Sequence, residues 1–286
     1  MWPAADASPA RSRCGSVAIV RPPPEVLDLY AVPADSAPLA GGQGHSALAG
    51  DLVLSPGRDP RVAVWLNPII ARLSADLDHE RPRSLRLAMP IPTRELHWVE
   101  QGWGATRFEP DTRPCQELDV VLATGRLLHA RLAAKVGSEP DGIRDRDDRW
   151  ARAERVAFDE RRADGIPTEV EALVARLSAE RDGTDLGPDQ LVHGGLFGNV
   201  LLDGEGVPFV IDFAPYWRPT LWAEAVCVLD AVVTGRARVA VMGDWSVGAA
   251  RQAMLRAGIF RLLSDLEPDV VTYEHAFEAA AARRPE

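Results

Sequence analysis

Lysine is almost missing from this chain: Lys135 is the only one, beside 31 arginines. Any task that calls for an ammonium on an anionic ligand therefore falls to a guanidinium, which reaches and bonds differently. The same bias, with abundant alanine, suggests a GC-rich genome. Cysteine is scarce too. Cys14, Cys115 and Cys227 are too far apart for a metal-ligand spacing or a disulfide framework, which points to a reducing cytoplasm. No apolar run reaches the roughly 18 residues of a membrane helix, so no membrane partner is expected. Positive charge is in deficit: the formal net charge is −10. That excludes a nucleic-acid partner, which needs a basic face, and would attract a cationic small molecule only weakly.

What is present suits a globular protein. Of 286 residues, 46% are hydrophobic and 26% charged, enough for a core without staples and for roughly one or two domains. Residues 1–21 read as a disordered extension, because their apolar patch is too short and too late for a secretory signal. Residues 25–33 read as a short helix or strand entry. A glycine-rich turn with Gly41, Gly42 and Gly44 follows, then a short buried strand at Asp51–Leu54. Val62, Trp65, Ile69, Ile70 and Leu73 predict a helix over 59–77. A strand pair is expected at 85–90 and 96–103, with a hinge near 103–108.

From residue 116 the pattern turns helical. Leu118, Val121, Leu122, Leu127 and Leu128 share one apolar face, and Val170–Leu177 forms another. The charged stretch Ser138–Asp164 reads as a solvated helix face. Leu221–Val233 is apolar nearly all round, as a buried helix should be. The organisation is thus α+β, with 22–107 a β-rich unit and 108–286 a mainly helical unit enclosing one hairpin.

That hairpin carries the chemistry. Two apolar runs between Leu191 and Phe213 flank the turn Asp203-Gly204-Glu205-Gly206. Folding about it is expected to set Asn199 opposite Asp212 at the open end, where a carboxamide and a carboxylate oxygen can grip Mg²⁺. The loop before it, His193-Gly194-Gly195-Leu196-Phe197-Gly198, leaves room for a substrate near the backbone.

This segment resembles the His-Gly-Asp catalytic loop with its following Asn, and the Ile-Asp-Phe/Trp motif, of the aminoglycoside phosphotransferase and choline-kinase-like family. Pro215-Tyr216-Trp217-Arg218-Pro219 resembles an actinobacterial branch of it. The resemblance implies a two-lobed protein-kinase-like fold, with a small β-rich N-lobe and a larger helical C-lobe. It further implies ATP and Mg²⁺ as cofactors and a small-molecule hydroxyl acceptor as partner. Asn199 and Asp212 would be the metal ligands, His193 a brace for the loop, and Gly41, Gly42 and Gly44 a flap over phosphates.

The chain departs from that pattern where it matters. The family's catalytic Asp follows His-Gly, and here Gly195 stands there. The loop is one residue short, and shifting the register only brings Gly194 to the critical position. The N-lobe Lys and its Glu partner are absent as well, with Arg58 or Arg61 the candidate substitutes. Asp182, Asp185 and Asp189, the acids nearest upstream, read as turn residues, and His45, His97 and His129 as non-catalytic. Trp217 and Trp222 read as core or lobe-packing aromatics. Three readings stay open: a homologue that binds ATP and Mg²⁺ but is catalytically impaired, an active kinase with a rearranged base, and a non-enzymatic interaction module.

Overall fold

The structure, a computed structural model, describes residues 21–39 and 46–281; residues 1–20 of the expected extension, the glycines Gly41, Gly42 and Gly44, and His45 lie outside them. The chain runs through α1 (Pro24–Leu29), β1 (Ala37–Pro38), β2 (Ala47–Ala49), β3 (Leu52–Ser55), α2 (Pro60–His79), β4 (Arg86–Leu87), β5 (Pro90–Ile91), β6 (Val99–Glu100), β7 (Trp103–Arg107) and β8 (Arg113–Pro114). It continues with α3 (Leu118–Ala133), α4 (Arg149–Ala157), α5 (Thr168–Ala179), β9 (Asp189–His193), β10 (Val200–Leu202), β11 (Pro208–Val210) and β12 (Pro215–Pro219). Three helices close it: α6 (Thr220–Val233), α7 (Gly248–Ser264) and α8 (Val270–Ala281). This is the expected α+β order, an antiparallel sheet first and helices after. No helix among the described residues is long and apolar enough to cross a membrane.

The first sheet is ordered β1-β2-β3-β7-β5, with β6 also on β7, and every pairing is antiparallel. Residues 103–107, where a hinge was expected, form instead the strand to which β3, β5 and β6 all pair. Trp103 and Ala105 point alternately into the core from it, the period-2 burial that makes a strand rather than a joint. α2 starts where its sequence says. Pro60 takes the first helical position and the Asp59 carboxylate accepts the Arg61 N–H at 2.8 Å. Its apolar face, Leu66, Ile70, Leu73 and Leu77, shares one buried cluster with Leu128, Leu132, Leu191 and Val210, so α2 is anchored on the helical part and on the hairpin.

The hairpin forms, one residue out of the expected register. Val200 pairs with Val210 and Leu202 with Pro208, and the Ile211 N–H donates to the Asn199 carbonyl at 2.9 Å. Asn199 is thus opposite Ile211, and Asp212 lies one residue beyond. The turn is the cause. Asp203 and Val207 close it, and Gly206 adopts φ +82°, giving a three-residue loop whose last position needs the left-handed region. The Asp203 carboxylate fixes it by accepting the Glu205 and Val207 N–H groups. Arg86 then ties the hairpin to the first third of the chain, bonding Asp78, Glu109 and Asp203.

Pro215–Pro219, beyond the expected β segment, is strand β12. It pairs antiparallel with β9, Tyr216 opposite Val192 and Pro219 opposite Asp189. The charged stretch at 138–164 is solvated only in part. Glu154 is buried at 8% exposure and bonds Arg218, itself 4% exposed, while Glu160 takes two further bonds from that guanidinium at 2.8 Å. Two of the charges in this stretch, Glu154 and Glu160, thus satisfy an arginine that β12 carries into the interior.

Candidate active site

β9 ends by delivering His193 into a fully buried position. Its Nδ1 accepts the Gly195 N–H at 3.1 Å, which places the imidazole proton on Nε2. Burial drives its pKa down to about 4 against the pull of Asp212 and of the Ile211 backbone, so the ring is neutral at pH 7. His129 of α3 backs it: its Nε2 accepts the His193 N–H at 3.1 Å, and burial lowers its own pKa to about 3. The Phe213 ring lies 5.0 Å from the His193 ring. His193 thus holds the Gly195 N–H and His129 holds the His193 N–H, a contact of His129 that sequence reading did not foresee. Nothing in an amphipathic helix marks one histidine as facing a distant loop.

The two glycines after His193 differ in a way only the structure reveals. A Cβ on Gly194 would sit 2.3 and 2.4 Å from the Tyr216 ring. A Cβ on Gly195 would meet Arg261 Nη2 at 3.7 Å and His193 Cε1 at 3.9 Å, ordinary contacts with room to spare. Of the two glycines at which the resemblance could place its missing base, only Gly195 has room for a side chain. Gly194→Ala is expected to cost about 1–3 kcal/mol through overpacking, and Gly195→Ala less than about 1 kcal/mol. Urea unfolding of the two variants checks this.

Past Gly195 the loop turns tightly. Leu196 packs into the gap left by Gly125 of α3, where a Cβ would stand 2.7 Å from Leu196 Cδ2. Gly198 takes φ +86°, and the Asn199 N–H closes onto the Leu196 carbonyl at 2.9 Å. The Asn199 side chain donates Nδ2 to the Gly195 carbonyl at 2.7 Å, leaving Oδ1 without a hydrogen bond among the described residues. One chain of contacts thus joins His193, Gly195 and Asn199.

Asp212 follows the hairpin at φ +48°, a left-handed conformation that Asp tolerates at some cost and that recurs at working sites. Its Oδ1 accepts Arg58 Nη2 at 2.5 Å. Burial pushes its carboxyl upward, but Arg58 and His193 outweigh that and hold it below the usual range. Arg58 arrives from the turn after β3. Its N–H bonds the Gly102 carbonyl, and its stem packs where a Cβ on Gly104 would lie 3.1 Å away. Of the two candidate lysine substitutes, Arg58 thus reaches the site, whereas Arg61 folds back onto Asp59. Lys135 pairs with Asp76 on the surface between α2 and α3.

No group of three or more His, Cys, Asp or Glu side chains converges among the described residues. A divalent ion would rely on Asn199 Oδ1 and the second oxygen of Asp212. These hard oxygens suit Mg²⁺, which is held by one or two carboxylates together with substrate phosphates. The donors fit, with Arg58 as a competing cation on Asp212. The upstream acids do not join the site. Asp182 and Asp185 accept N–H groups of their own turn, and Asp189 opens β9 at the end away from His193. Trp222 is fully buried among Tyr216, Phe158 and Phe260, and Trp217 packs against the cluster of α2 and α3.

No protein-family model matches the chain, and no curated protein matches it. Several solved structures do. The choline kinase LicA from Streptococcus pneumoniae aligns at 12% identity over 87% of this chain and 94% of that one, with a TM-score of 0.47. A choline/ethanolamine kinase family protein from Mesorhizobium loti aligns at 17% identity over 89% and 88%, with 0.43. The AMP-bound spectinomycin phosphotransferase APH(9)-Ia aligns at 16% identity over 90% and 85%, with 0.39. At these identities and TM-scores the likeness carries no argument about this chain, and function has to come from the loop itself.

Proposed function

We propose that the chain is an ATP-dependent small-molecule phosphotransferase homologue that binds nucleotide and Mg²⁺ at the hairpin and transfers poorly, because Gly195 leaves the loop without its own base. The loop geometry supports this reading: neutral His193 holds the Gly195 N–H, the Gly195 carbonyl holds Asn199, and a strained Asp212 stands beside them. Asn199 and Asp212 would hold Mg²⁺, which offsets the charge of the triphosphate when bound. Arg58, which reaches Asp212 from the turn after β3, would exchange that bond for a phosphate oxygen. Loss of a general base costs roughly 10²–10⁴ in rate, while positioning survives it.

Calorimetry of ATP binding with and without Mg²⁺ tests the reading on the native protein and on Asp212→Ala. Binding that needs Mg²⁺ and weakens about tenfold or more in the variant is expected, the worth of one charged contact of ~1.5–3 kcal/mol. Absence of ATP binding under either condition would instead leave a non-enzymatic module that has kept only the architecture.

A further inference from the structure

A second carboxylate approaches the loop from α6. Asp230 is held by Arg261 of α7 through two bonds, Nε to Oδ1 at 2.7 Å and Nη2 to Oδ2 at 2.5 Å. The same Nη2 lies 3.7 Å from the place of a Cβ on Gly195 and 3.4 Å from the Gly194 carbonyl. A single guanidinium therefore spans the distance between the vacant base position and an acid on another element. Asp230 and Arg261 both line a cavity of about 530 Å³, together with Phe197 and Gly198 of the loop, Trp150 and Tyr273. The Asp230 side chain keeps 15% of its surface exposed, and Arg261 occupies one direction of approach on each of its oxygens, leaving lone pairs free.

We propose that Asp230 supplies the carboxylate that Gly195 lacks and accepts the proton of the hydroxyl substrate bound in this cavity, an inference that rests on the phosphotransferase reading. The acceptor oxygen bonds to the γ-phosphorus of the nucleoside triphosphate. The bond from that phosphorus to the bridging oxygen breaks, its electron pair leaves with the nucleoside diphosphate, and the hydroxyl proton passes to Asp230. Burial raises the Asp230 carboxyl above its ordinary range while Arg261 opposes the rise, which strengthens it as a base. Asp265 lines the same cavity, yet its carboxylate is engaged by the Glu267 N–H and has no link to the loop.

The test is phosphate release from Mg²⁺-ATP by the full chain, with water as the smallest hydroxyl acceptor, read beside ATP affinity by calorimetry. Asp230→Asn is expected to lower release by about 10²-fold with ATP affinity unchanged. In the Gly195→Asp background the same substitution is expected to lower release little, because the carboxylate at 195 makes Asp230 redundant as a base, whereas a purely structural ion pair would cost a similar factor in both backgrounds. Unchanged release in Asp230→Asn, or an equal loss in the Gly195→Asp background, overturns the proposal. ATP binding by the native protein with no measurable release overturns it as well and leaves the nucleotide site standing. Failure to bind ATP removes the reading beneath it. Should Asp230→Asn not fold, Asp230→Glu keeps the charge for Arg261 and displaces the carboxylate by one methylene. A loss of about tenfold or more is then expected, and an unchanged rate overturns the proposal.

Discussion

Gly195→Asp is expected to raise the turnover of Mg²⁺-ATP by about 10²–10⁴-fold, the usual worth of a placed general base, with ATP affinity nearly unchanged. The backbone is ready for it. Gly195 is not among the residues at positive φ, so an L side chain brings no left-handed strain there, and its nearest neighbours stand at 3.7 and 3.9 Å. The new carboxylate would meet Arg261, whose charge favours the ionised form needed to receive a proton. The loop that carries it would not move. Its N–H stays on His193 and its carbonyl on Asn199, both main-chain contacts indifferent to the side chain. A base at 195 would lie on the same element as Asn199, whereas Asp230 reaches the site across a helix, so the gain should exceed what Asp230 alone provides. Single-turnover phosphate release separates this gain in chemistry from any change in product release. A Gly195→Asp protein that folds, binds ATP and is no faster would mean that the loop does not address a phosphoryl acceptor at all.

Much of this architecture was legible from periodicity. The helix over 59–77 and α2, the strand at Asp51–Leu54 and β3, and the apolar run Leu221–Val233 and α6 coincide within two or three residues. Each is a segment whose burial is decided by its own pattern. The misses have a common origin in long-range satisfaction of polar groups. β12 carries a proline at each end, which masks it from any strand signal, and it exists because β9 needs a partner. The stretch at 138–164 has the charge density of a solvated face, and contacts with β12, among them Arg218 sixty-four residues from Glu154 and the Pro215 carbonyl for Arg146, turn part of it inward.

The candidate site could be proposed from sequence as a segment and not as a geometry. His193, Gly195, Asn199 and Asp212 could be chosen from the order of residue types along one hairpin. Their relations could not. A three-residue turn in place of an even one shifted Asn199 from Asp212 to Ile211, since register has a period of two and a single residue changes every partner. The choice between Gly194 and Gly195 rested on Tyr216, which packs on one of them and not on the other. Arg58, Asp230 and Arg261 come from three separate elements, and no spacing rule connects them. Arginines and aspartates are so frequent in this sequence that only their pairing in space distinguishes the few that matter.

Arg218→Met is expected to destabilise the protein by about 3–5 kcal/mol at neutral pH, the cost of leaving a buried partner uncompensated. Against a total stability of roughly 5–15 kcal/mol, that brings the variant close to unfolding. Methionine keeps most of the stem that packs over Phe158, where the guanidinium now lies 4.0 Å from the ring, so the loss falls on the glutamates. Their two carboxyls are shifted in opposite directions. Burial holds Glu154 above the ordinary range in spite of Arg218. Burial also pushes Glu160 up, but bonds from Arg218 and Arg144 outweigh it and hold that carboxyl low. A lowered folded pKa contributes stability above the unfolded pKa and loses it as pH falls through the folded value, so Glu160 makes the native protein acid-sensitive. A raised folded pKa works in reverse, and the ionised Glu154 becomes a growing liability as pH rises past the unfolded carboxylate range. Without Arg218 the first contribution shrinks and the second grows. The deficit of Arg218→Met should therefore be largest near pH 7 and smaller near about pH 4–5, where Glu154 can take up a proton. Glu154→Gln in the same background should recover part of the loss at pH 7, since an amide is cheaper to bury than an unpaired carboxylate. Urea denaturation of the single and double variants at both pH values measures each step. A deficit independent of pH would place the cost in packing over Phe158 rather than in the charge.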